Sequence, residues 1–142
     1  MTEASSATLD RPEAAGEVLT STDAIPNPAV KDIAVARKYY EDTLGFECVD
    51  SEADELLVFR SGKTAFWVYR SEYAGTNQAT AMSWPIGDRV EAVAEALAAK
   101  GVRFEHYDLP GTRREGDVHI AGDLKIAWFK DPDGNILSIV SG

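Results

Sequence analysis

The sequence predicts an α+β fold built from two tandem βαβββ modules, and two observations carry that prediction. Asp32 and Asp88 each open an amphipathic segment and are 56 positions apart, as are Gly45 and Gly101, which close those segments. Each segment is preceded by one short apolar stretch and followed by three alternating, strand-like runs. The repeat gives one domain over residues 23–142, with module one at 23–78 and module two at 79–142. Paired sheets of this kind are expected to enclose a cleft between them, with the helices on the outside.

Taken in order, residues 1–22 (MTEASSATLDRPEAAGEVLTST) have no sustained apolar period. They read as a flexible tail, or an arm that docks on a partner subunit. In module one the apolar stretch Ala24–Val30 leads to the Asp32 cap, the helix IAVARKYYEDTL and the Gly45 stop. Strands follow at Glu47–Asp50, Leu56–Phe59 and Thr64–Tyr69, the last two joined by the turn RSGK. Module two repeats this with Ala79–Ile86, Asp88, RVEAVAEALAAK and Gly101. Its strands are Arg103–Tyr107, Leu124–Phe129 and Ile136–Val140, the last two joined by DPDGN. Pairing Gly62 with Gly134 lengthens the offset to 72, so an insertion lies between Val102 and Leu124, in DLPGTRREGDVHIAGD. Its length and glycines suit a mobile flap whose Arg113 or Arg114 could clamp a carboxylate or phosphate; the plainer reading is a solvated loop.

Composition narrows the partners. The formal net charge is −10, and Arg113-Arg114 is the one basic cluster. Nucleic acid and anionic membrane are therefore poor partners, whereas a neutral or cationic small molecule meets no repulsion. No apolar run is long enough to span a bilayer, and the N-terminus has no secretory pattern. Cys48 is the one cysteine, which fits a reducing, cytoplasmic setting, and it has no neighbouring base to activate it.

The segments KDIAVARKYYEDTLGF and AWFKDPDGNILSIV, on paired βαβββ modules, resemble the vicinal oxygen chelate superfamily, which includes glyoxalase I, extradiol dioxygenases, fosfomycin-modifying transferases and bleomycin-resistance proteins. The resemblance covers residues 23–142 and implies a homodimer and a small-molecule cleft. It also implies where metal-using members carry His, Glu or Gln. Carried over, those positions fall on Ile25, seven before Asp32; Ala81, seven before Asp88; Ser138, four after Gly134; and Phe66, four after Gly62. None is an ordinary ligand for a first-row metal, so the reading assigns no metal and no cofactor.

What remains is a set of candidate ligand contacts. If Phe66 faces the cleft, Trp67 and Tyr69 lie under the first helix; if Ala81 does, Met82 and Trp84 are core. Phe66 and Trp128 are then aromatic walls for a planar ligand, Asn27, Ser83 and Ser138 its polar contacts, and Arg113 a clamp on the flap. His106 and His119 offer an acid/base pair or a non-standard metal pair, against the simpler reading of surface histidines. Three functional classes follow. In order, they are a metal-free protein that captures an organic ligand in the cleft, as antibiotic-sequestering members do; an isomerase, lyase or hydrolase using His106, His119 or flap acids, or an unusual metal; and a non-catalytic interaction module.

Overall fold

Asp32 starts the first repeat helix as its residue type dictates. Its Oδ1 accepts from the Val35 N–H at 3.1 Å, satisfying one of the open donors of the first turn. The structure, a computed structural model, describes residues 12–142. Within them α1 spans Pro12–Thr20, a helix not foreseen in the tail; residues 1–11 of that tail lie outside the described residues. Module one continues with β1 (Ala29–Val30), α2 (Ile33–Lys38), β2 (Glu47–Glu52), β3 (Leu56–Ser61) and β4 (Thr64–Arg70). A π-helical turn, Tyr39–Thr43, extends α2. Module two has β5 (Thr80–Pro85), α3 (Val90–Ala99), β6 (Phe104–Glu105), β7 (Arg113–Glu115), β8 (Val118–Ala121), β9 (Leu124–Lys130) and β10 (Ile136–Val140).

The strand orders bear out the repeat. One sheet runs β1-β4-β3-β2 and the other β5-β10-β9-β8-β7, with β1 parallel to β4 and β5 parallel to β10. Two local expectations fail. Asp88 does not cap α3: Gly87–Arg89 form a 3₁₀ turn, which puts Asp88 inside the first turn instead of ahead of it, and no side chain caps the helix. The insertion is not a loose flap either. Its residues form a β7–β8 hairpin that extends the second sheet along β9, with Val118, His119 and Ile120 buried.

The helix-side faces of both sheets share one core. Trp84 of β5 stacks on Phe46 (centroids 5.5 Å, interplanar angle 26°) and meets Phe66 edge-on at 6.2 Å. Its indole N–H donates to Ser61 Oγ of β3 at 3.1 Å, so one side chain ties the modules by packing and by a hydrogen bond. Met82 and Trp84 are thus core residues, as alternation predicts.

The DPDGN turn closes the same joint from the other end. Asp131, 4% exposed, accepts from the backbone N–H groups of Asp133 and Asn135, from Asn135 Nδ2, and from the Tyr40 hydroxyl of the π turn at 2.9 Å. Asn135 Nδ2 also donates to the Ala29 carbonyl of β1 at 2.6 Å, and the Lys31 N–H donates to Asp133 Oδ1 at 3.1 Å. Burial holds the Asp131 carboxyl above the usual carboxylate range, and these donors pull it back down. In this chain the turn motif is therefore a staple between modules.

Candidate functional site

Opposite the shared core lie the outer faces of the two sheets, where the fold leaves room for a ligand. Trp67 and Tyr69 on β4 are 38% and 39% exposed, and Ser83 on β5 is exposed. Helix-side aromatics, not these outer faces, join the two modules among the described residues.

Phe66 is corrected here. It is 1% exposed, packed against Tyr40, Phe59 and Phe46 on the helix side, and walls no cleft. The reason is a one-residue slip. In module one the turn between β3 and β4 is two residues, Gly62-Lys63, closed by the Ser61–Thr64 pair. In module two five residues, Asp131–Asn135, separate the Lys130–Ile136 pair. The closing pairs face opposite sides, so equating Gly62 with Gly134 reverses every side chain of β4. Trp67 and Tyr69, expected under the first helix, are the outward aromatics.

On β10 the expected phase holds. Leu137 and Ile139 enter the core while Ser138, 3% exposed, faces outward. Its Oγ lies 2.7 Å from Ser83 Oγ on the paired position of β5. Ser138 also pairs with Trp128 of β9, whose indole N–H donates to Thr80 Oγ1 at 3.1 Å. Thr80 escaped the sequence reading because a bulge at Ala81 shifts the β5 register between Thr80 and Met82. Asn27 is exposed, and its Nδ2 donates to the Ile25 carbonyl at 3.1 Å, which secures the local backbone.

The row continues across the sheet from Trp128. Tyr107 and His119 both meet its ring edge-on, at 5.2 and 4.9 Å. His119, expected at the surface, is 2% exposed, because β8 pairs with β9 and carries it under the sheet's outer aromatic cluster. Its Nε2 accepts from the Tyr107 N–H at 2.9 Å, so the proton of the neutral ring sits on Nδ1, a buried atom with no partner. Burial pushes its pKa below the ordinary imidazole value, opposed by the backbone of Ile126 and Tyr107 and helped by the nearby Arg114 and His106. The buried Tyr107 hydroxyl also has no partner. His106, by contrast, is 45% exposed and its Nε2 lies 2.8 Å from Asp117 Oδ1. His106, Tyr107, Asp108, Thr112, Arg113, Arg114 and His119 line a cavity of about 280 Å³. Arg113 is ion-paired with Glu115.

These positions do not fit a divalent metal. Ser138 and Ser83 are hydroxyls bonded to each other, Phe66 is in the core, Ile25 is exposed, and Ala81 offers no donor. Among the described residues no three His, Cys, Asp or Glu side chains gather closely enough to hold an ion.

Residues 27–139 match the family described as the Glyoxalase/Bleomycin resistance protein/Dioxygenase superfamily. The chain belongs to this superfamily. Solved members share its fold at low identity. A lactoylglutathione lyase from Agrobacterium tumefaciens superposes with a TM-score of 0.64 at 16% identity, covering 84% of this chain and 92% of that one. A glyoxalase family protein from Enterococcus faecalis gives 0.65 at 16% identity, covering 86% and 98%. A point mutant of the fosfomycin resistance protein FosX from Listeria monocytogenes, complexed with Mn(II) and 1S,2S-dihydroxypropylphosphonic acid, gives 0.64 at 15% identity, covering 86% and 90%. No curated protein matches the sequence. No helix among the described residues is long and apolar enough to cross a membrane.

Proposed function

We propose that this superfamily member is a metal-free protein that captures a small, planar organic molecule against the outer face of its second sheet, as a homodimer in a reducing, cytoplasmic setting. The observation that carries this reading is the Ser83–Ser138 contact: the position where metal-using relatives are expected to carry a ligand holds a hydroxyl already bonded to another hydroxyl. Trp128 beside it, held by Thr80, offers a half-buried aromatic surface on which a planar ligand can stack. A second copy would supply the opposite wall, since Trp67 and Tyr69 form an aromatic face left partly open by the described residues.

The test pairs the metal content of untagged protein, purified without chelator, with melting curves in the presence and absence of divalent ions. No metal and no shift, followed by saturable quenching of Trp128 by planar compounds that Trp128→Phe reduces, supports the proposal. Stoichiometric metal and a melting point that falls on chelation would overturn it. An enzyme of the same superfamily is the second reading, and the His106–Asp117 pair at the edge of the 280 Å³ cavity favours it. It requires turnover that disappears in both His106→Gln and Asp117→Asn.

A further inference from the structure

The inserted hairpin lines a cavity that the serine face does not need. Its wall combines three donors. Arg114 lies directly across β7–β8 from His119, on the same face, and one guanidinium nitrogen donates to the Gly116 carbonyl at 2.7 Å. Unlike Arg113, which is paired with Glu115, Arg114 has no carboxylate partner among the described residues. His119, 2% exposed, holds its proton on an Nδ1 without a partner, and the Tyr107 hydroxyl is buried and equally unpartnered. Two neutral donors left buried and unsatisfied carry a desolvation cost that an acceptor brought by a ligand removes.

We infer that the β6–β8 cavity is a binding site for a small monocarboxylate, with Arg114 supplying the charge and Tyr107 and His119 the neutral hydrogen-bond donors. A carboxylate has one charge and two oxygens that each accept more than one bond, which matches one uncommitted cation and two spare donors. Asp108, in the same wall and without an ion-pair partner among the described residues, repels any anion, and repels a phosphate dianion more strongly than a singly charged carboxylate. The other ionisable side chains there are engaged, Arg113 in an ion pair with Glu115 and His106 in a hydrogen bond with Asp117. This site goes beyond the proposed function: it is built by the insertion and stands whether or not the Ser83–Ser138 face holds a ligand.

The test is a titration of the full-length protein with benzoate, the neutral isostere benzamide, and inorganic phosphate, followed by ¹H–¹⁵N NMR of the arginine side chains, the histidine rings and the backbone. Benzoate is expected to saturate the Arg114 Nε–H and His119 ring signals, with benzamide and phosphate each at least ten-fold weaker. Arg114→Gln should raise the benzoate midpoint at least ten-fold, Arg114→Lys should recover part of that loss, and Tyr107→Phe should raise it several-fold. Arg114 is exposed, so its variants can be checked for an unchanged pattern of distant amide signals. Equal midpoints for benzoate and benzamide, tighter phosphate binding, or an unchanged midpoint in Arg114→Gln would each overturn the site. Shifts around Ser83 and Ser138 report the other face, so failure of one reading is not failure of both.

Discussion

Removing one hydroxyl, in Tyr40→Phe, tests whether the modules are stapled by the Asp131 turn. The ring of Tyr40 is fully buried between Phe59 and Phe66, at centroid distances of 5.5 and 5.6 Å, and phenylalanine keeps that packing. What goes is the 2.9 Å bond to Asp131 Oδ2, which leaves a 4% exposed carboxyl with fewer donors. A hydrogen bond to a charged group contributes about 1.5–3 kcal/mol. At about 2–4 °C per kcal/mol for a chain near this size, the expected fall in melting temperature at neutral pH is about 3–12 °C. The pH dependence has a fixed sign. Asp131 has its folded pKa raised, so its contribution to stability is fully present in acid and is lost as pH rises through the folded value. Tyr40 pulls that value down, and its removal lets it rise further. The deficit of the variant should therefore be largest near neutrality and shrink towards about pH 3.5, where the carboxyl is largely protonated in either protein. Calorimetry at the two pH values decides it, and an Asp131→Asn cycle isolates the coupling. A deficit below about 1 °C at neutral pH, or one of equal size in acid, would refute the staple.

Three further outcomes are expected. Ser138→Glu places a carboxylate at a 3% exposed site whose one nearby polar partner is Ser83, and should cost about 3–5 kcal/mol at neutral pH by chemical denaturation; a stabilised variant, or one that gains tight metal binding, would contradict the picture of that face. Gly75→Ala builds a Cβ 2.0 Å from the Asp133 carbonyl oxygen at a residue with φ of +78°, so a loss of about 2–4 kcal/mol is expected; a neutral effect would mean that the linker does not rest on the DPDGN turn. His119 has its folded pKa lowered, so its contribution is present above the unfolded value of about 6.5 and is lost as pH falls below it. Melting curves between about pH 7.5 and 5.5 should therefore show a decline that is absent in His119→Gln.

Much of the fold was legible because the repeat is written twice. The Asp-to-Gly spacing located both helices, and the turn residues located the strands that flank them. Face assignment was harder, because it depends on counting residues in turns to the last unit. On β10 the phase was right, and Ser138 faces outward beside Ser83. On β4 the odd difference between a two-residue and a five-residue turn puts Phe66 in the core, not on the outer face, and brings Trp67 and Tyr69 outward. The hairpin in the insertion had a local signal that glycine content obscured. Val118 to Ala121 is a short apolar run around one histidine, flanked by Glu115-Gly116 on one side and Gly122 on the other. Buried partners such as the Tyr107 N–H to His119 contact join residues 12 apart through sheet pairing, which no local pattern encodes.

The serine pair and the β7–β8 hairpin bear on each other. In the second sheet β5 and β10 run in parallel. Here those strands keep two hydroxyls that satisfy each other. The unsatisfied donors lie instead two strands away, at Tyr107 and His119, next to an arginine and a cavity. Trp128 bridges the two regions, bonded to Thr80 on one side and packed against both His119 and Tyr107 on the other. Binding energy on this face would then come from aromatic contact at Trp128 and from hydrogen bonds at the hairpin, with the serine pair serving as a closed, neutral floor. Substitutions at the hairpin should change which polar head the protein accepts, while substitutions at Trp128 should change how tightly it holds any planar body. Measuring both sets of variants against one series of ligands, matched in ring and varied in head group, separates the two contributions; if head-group preference followed Trp128 instead of Arg114, this division of the face would be wrong.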